Sequence, residues 1–184
     1  HPWLRAKNRT IISLLTNRTP RYLAVGTALG HIFVACWHGG PVAVPDVSAY
    51  LSVSQWLYGG VLPEGLAYHP GYGMLLGLYG GLSGSALHTA ALITNGVLAG
   101  LCVLMAARLM ERHGAPQWAT YCAALIAAVH PSLSTASRIA WPETLLVALL
   151  LTIGLLVDSD RWMLTGAVAA AALAVHPRAV VIFG

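Results

Sequence analysis

Charge is scarce in this sequence. Charged residues make up 9% of its 184 positions, against roughly 25% in an average soluble domain. With 57% hydrophobic residues, that scarcity excludes an ordinary water-soluble globule, because a fold of this size has too much exterior to hide so much apolar surface. The mean hydropathy of +0.69 agrees. Cysteine is scarce too. Cys36, Cys102 and Cys122 sit in apolar runs without CxxC or CxxH spacing, so they read as small buried hydrophobes rather than metal ligands. Internal repeats are missing, as are charge pairs within the apolar runs.

The net charge of +4 does not point to nucleic acid, since the basic residues form no groove-tracking patch. Arg5, Lys7, Arg9, Arg18 and Arg21 crowd into residues 1–21. That is the pattern of a cytoplasmic juxtamembrane segment in contact with anionic lipid. On this reading the two glycosylation-type triplets at Asn8 and Asn17 are chance matches. The chain starts His-Pro and stops within a hydrophobic run, and we expect it to be part of a longer protein.

Crossing the ~30 Å apolar core of a bilayer takes about 20 residues of helix. Apolar runs at 22–38, 87–110 and 139–157 are the clearest candidates, with shorter ones at 118–133 and 162–175. Each carries Trp or Tyr near an end, as interfacial anchors do. The stretch 66–82 is different: Pro70, Gly71, Gly73, Gly77, Gly80 and Gly81 make a poor autonomous span. If it crosses, Asp46 and Glu143 fall on opposite sides; if it is re-entrant or interfacial, they share one. The second arrangement gathers Asp46, Glu64, His69, His130, Arg138, Glu143, His176 and Arg178 on the outer side, where they can form a site. The expected fold is therefore all-α: a polytopic transmembrane bundle over residues 22–184, with about five spans plus a re-entrant or interfacial helix. Residues 39–86 form its first extracytoplasmic loop.

That loop should hold a short amphipathic helix from Asp46 to Gly60. Val47, Tyr50, Leu51, Ser54, Leu57 and Tyr58 share one side, Ser48, Ser52 and Gln55 lean to the other, and Gly59-Gly60 ends it. The plain role of Asp46 is an N-cap; the sharper one is a carboxylate acting as general base at the membrane boundary. Glu143 opens a helix after Pro142, where a carboxylate suits the positive helix end; the alternatives are an acceptor contact or a metal ligand. His176-Pro177-Arg178 interrupts an Ala/Val-rich run, and ionisable groups at membrane depth default to function unless they snorkel outward. His31, in the middle of the first run, suits a helix-to-helix hydrogen bond, and His88 and His113 suit the interface.

An Asp just past the first span, with Tyr50 and Leu51 after it, resembles the GT-C superfamily of membrane glycosyltransferases. The resemblance continues in Ala67-Tyr68-His69-Pro70-Gly71-Tyr72, in Leu92-Ile93-Thr94-Asn95-Gly96, and from His130-Pro131-Ser132 to Trp141-Pro142-Glu143-Thr144. It covers roughly residues 21–178. The departures are a lone Asp46 where some members pair acidic residues, and His69 where several relatives carry Lys.

The resemblance implies transfer of a sugar from a polyprenyl-phosphate donor to a glycan, glycolipid or protein acceptor on the extracytoplasmic side. Asp46 would deprotonate the acceptor hydroxyl. Arg138 and Arg178 would grip the donor phosphate, with His69 and His176 adding hydrogen bonds. Glu143 and Tyr50 would serve the acceptor. No cofactor is required, although Asp46, Glu143 and a histidine could bind a divalent metal. The alternatives are a transporter or channel, or a non-catalytic membrane subunit of an envelope-assembly complex.

Overall fold

The computed structural model describes residues 18–37, 45–61, 69–82, 84–135, 138–176 and 179, and among them there is no strand. The helices are α1 (Thr19–Trp37), α2 (Pro45–Trp56), α3 (Pro70–Leu76, continued by a 3-10 turn, Gly77–Tyr79), α4 (Gly84–Arg112), α5 (Gln117–Val129), α6 (Pro131–Thr135), α7 (Glu143–Val157) and α8 (Trp162–Val175). Proline sets several boundaries. Pro70 sits in the first turn of α3, Pro142 precedes α7, and Pro131 holds His130 extended at ψ 128, which stops α5. Gly114, at φ +70, supplies the left-handed residue that turns the chain from α4 to α5.

The runs 139–157 and 118–133 are shorter as helices than the sequence suggests. Ile139 to Pro142 stay outside α7, and Pro131 splits off α6. Among the described helices, α4 alone is both long and apolar enough to cross a bilayer; α7 and α8 are apolar but shorter. α1 has 19 residues, with Arg21 in its first turns and His31 in its middle.

Small residues let the helices approach. A Cβ on Gly100 would stand 2.6 Å from the Ala24 carbonyl oxygen, and one on Gly96 3.1 Å from His31 Cβ. Partner numbers fall as α4 numbers rise, so α1 and α4 are antiparallel. α7 instead runs parallel to α4: Asn95 Nδ2 donates to the Trp141 carbonyl at 3.2 Å, the Thr152 hydroxyl to Met105 Sδ, and Arg112 to the Leu155 carbonyl at 2.7 Å. α5 packs Ala124 with Val103, Ala107 and Ala24, while α8 folds back to pack Ala172 and Val175 on Leu146.

This pairing returns the chain to one end of the bundle after α1, after α5 and after α8. The segment between α1 and α4 therefore starts and finishes at the same end. Within it, α3 and its 3-10 turn are far too short to traverse the bundle, since seven helical residues span only about 10 Å. The glycines interrupt the helix as the sequence suggests, at the 3-10 turn from Gly77 and the turn at Gly80-Gly81, and they also let the backbone be approached. A Cβ on Gly71 would strike the Ala174 and Val175 backbone of α8 at 2.7 Å, and one on Gly73 would meet Val53 and Tyr50 of α2 at 2.6 and 2.7 Å.

The exterior is unusually apolar, and a few polar groups are buried. Tyr22, Val25, Leu29, Phe33 and Trp37 form an exposed stripe on α1, and Trp118, Leu125, Ile126 and Val129 are exposed on α5. His31, His88, Asn95, Thr120 and Thr144 are buried. Exposed apolar stripes of this extent mark a surface meant for an apolar partner or solvent.

Candidate functional site

At the end where the three returns meet, α2 lies across α3. Val47, Tyr50, Tyr72 and Leu76 bury themselves with Ala35 of α1, Ala91 and Leu92 of α4, and Ala140 before α7. The buried face of α2 is Val47, Ala49, Tyr50, Val53 and Ser54. Ser48 points outward, while Leu57 and Tyr58, expected on the buried side, lie past the helix end and are exposed. The helix stops at Trp56, before Gly59 with φ +86.

The core of this end is polar. Tyr72 and Asn95, both fully buried, are joined by a 3.0 Å hydrogen bond in which the phenol donates to Asn95 Oδ1. Asn95 in turn donates to the Trp141 carbonyl, tying α3, α4 and the lead-in to α7 together. The Tyr50 and Tyr72 rings meet edge to face at 5.5 Å. Burial pushes the Tyr72 phenol up from its ordinary pKa, and the nearby Glu143 carboxylate adds to the shift. Glu143 Oε2 and Trp141 Nε1 are buried beside this network without a hydrogen-bond partner.

Most of the residues nominated from sequence lie at this end. Asp46 is half-buried in the first turn of α2, one residue inside the helix rather than at its cap, where it still opposes the positive helix end. Glu143 is the first residue of α7, as expected. His69 precedes α3 and His176 follows α8; their rings are 5.9 Å apart. Arg138 is exposed in the turn after α6, and His130 is exposed with Nδ1 accepting from the Ser132 amide at 3.3 Å. Arg178 and Glu64 lie outside the described residues. Among those described, no three His, Cys, Asp or Glu residues come close enough to hold a metal.

One histidine reading is corrected. His31 packs against Gly96, yet its Nδ1 finds no partner, so it makes no helix-to-helix hydrogen bond there. His88, near the start of α4, is 2% exposed, with Nε2 unpartnered. His113 is exposed, with Nδ1 2.9 Å from the Leu109 carbonyl and 3.6 Å from Asp158.

Sequence reasoning missed the roles of Tyr72, Asn95 and Trp141. One signal was available: an Asn within an apolar run costs desolvation unless a partner awaits it. Comparison with protein-family models, with curated proteins and with solved structures returns no match.

Proposed function

We propose that this chain is a membrane-embedded glycosyltransferase module of the GT-C type, using a polyprenyl-phosphate sugar on the extracytoplasmic side. The apolar exterior supports a bilayer setting with about five spans. The antiparallel α1–α4 pair supports a first outer loop that leaves and returns on one side. The observation that carries the reading is local. Tyr50 on α2 and Glu143 at the start of α7 both act on the buried Tyr72, and Asp46 stands one turn before Tyr50 on the same helix, so α2 and α7 bring their N-terminal turns, each with an acid, to this end.

In this reading Asp46 takes the proton of an acceptor hydroxyl as the bond to the anomeric carbon forms. Arg138 and Arg178 bear the developing charge on the donor phosphate, assisted by the neighbouring His69 and His176. Glu143 and Tyr50 hold the acceptor. No cofactor enters the scheme, and a divalent metal would have to recruit ligands beyond those the described residues bring together.

Asp46→Asn tests it in the full chain. The amide keeps size and helix-end polarity but cannot accept the proton. Transfer from a polyprenyl-phosphate sugar should fall about a hundred- to ten-thousand-fold, with unfolding in detergent within about 1 kcal/mol of wild type. Near wild-type turnover would remove the base assignment and most of the case for an enzyme.

A further inference from the structure

At the opposite end of the bundle, α1 begins with Pro20, Arg21 and Tyr22, while α4 finishes with Arg108, Glu111 and Arg112. The pairing that sets Ala24 on Gly100 carries Arg21 alongside the last turns of α4. Arg108 is partly buried there and feels the charges of Glu111, Arg112 and Arg21. It makes no hydrogen bond among the described residues. Arg112 commits one nitrogen to the Leu155 carbonyl and Ser159 Oγ, both at 2.7 Å, and keeps its other donors. Three arginines and one carboxylate thus share this end of the α1–α4 pair.

A second, separate observation sets their depth. Tyr22, Trp118 and Trp162 stand at the starts of α1, α5 and α8, all at this end, and all three are exposed. A ring of outward aromatics marks the level of lipid headgroups. Below it, Val25 on α1 and Leu101 on α4 are exposed one and two turns further in.

We infer that the α1–α4 groove at this end seats the phosphodiester of an anionic bilayer phospholipid between Arg21, Arg108 and Arg112. The guanidinium fork matches two phosphate oxygens, and a partly buried guanidinium that makes no hydrogen bond gains most from such an anion. Free phosphate would meet the same arginines but make no use of Val25 and Leu101, along which an acyl chain can lie. The inference rests on the membrane reading but is independent of the sugar-transfer reading.

The test is the full chain in nanodiscs of equimolar phosphatidylglycerol and phosphatidylcholine, with retained lipids counted by native mass spectrometry. Phosphatidylglycerol should be retained preferentially, and Arg108→Gln should lower that retention about fivefold, the effect of one arginine near a charged surface. Arg21→Gln, on the exposed start of α1, should lower it similarly and serves if Arg108→Gln fails to insert. Arg161→Gln, an equal charge loss beside Trp162, should leave it nearly unchanged. Equal retention of both lipids, an equal loss in Arg161→Gln, or displacement by millimolar inorganic phosphate overturns the inference. Alkaline carbonate extraction separates the premises: a chain released from vesicles overturns the membrane reading, and one retained without lipid preference overturns the lipid site alone.

Discussion

Replacing glycine by alanine should have opposite signs at different points on the α1–α4 pair. In a helix interior the change gains about 0.8–1 kcal/mol of intrinsic propensity. Gly26 and Gly30 face open space, with nothing within 4 Å of a built Cβ, so their alanine variants should keep that gain. At Gly100 the new Cβ would meet the Ala24 carbonyl oxygen at 2.6 Å and Ala28 Cβ at 2.9 Å. One obstacle is backbone and the other a methyl with no rotamer to change. The helices must part by roughly 0.7 Å to restore an ordinary C···O separation of about 3.3 Å, loosening the adjacent contact at Gly96. Overpacking of this kind costs about 1–3 kcal/mol, which exceeds the propensity gain and leaves a net loss of up to about 2 kcal/mol. Reversible unfolding in mixed micelles with increasing SDS measures all three variants. If Gly100→Ala tracks Gly26→Ala within about 0.3 kcal/mol, the close antiparallel crossing is wrong.

Other consequences are equally open to measurement. Tyr72→Phe removes the donor to Asn95 and strands Oδ1 in a buried site, costing about 1–3 kcal/mol in the same unfolding assay; an unchanged midpoint would contradict the network. Cys36 and Cys122 are exposed and Cys102 is buried, so a lipid-permeable maleimide should modify two thiols in the folded chain and three only after denaturation. For sidedness, Ser85→Cys and Arg161→Cys should react with an impermeant maleimide from opposite sides of sealed vesicles. Labelling of both from one side would overturn the topology.

Composition alone made the helical class legible, and proline placed most boundaries, as at Pro70, Pro131 and Pro142. The stretch 66–82 was harder. Its glycines pointed to an interrupted helix, but their second reason, the approach of Val53 and of Ala174 a hundred residues on, is written in no local pattern. Asp46, Glu143, His69 and His176 could be nominated from chemistry that stands out against an apolar background. Tyr72 could not, because its importance comes from Asn95, on another helix, and from burial that only tertiary packing creates. His31 and His88 show the reverse failure. His31 was expected to have a partner on a neighbouring helix, and burial of His88 was not foreseen; each keeps one nitrogen without a partner.

The antiparallel contact of α1 with α4 also sets an order of events in biosynthesis. His31 is shielded by Gly96, which follows 65 residues later in the chain. At about 5–20 residues per second, the ribosome needs roughly 3–13 s to deliver that shield. During this interval α1 stands alone with an imidazole in its middle, and α2 and α3 have emerged before the helix that closes their floor. In the membrane reading proposed above, the first helix would be the natural client of an insertion chaperone, and a slowed codon run ahead of α4 would lengthen its dependence in direct proportion.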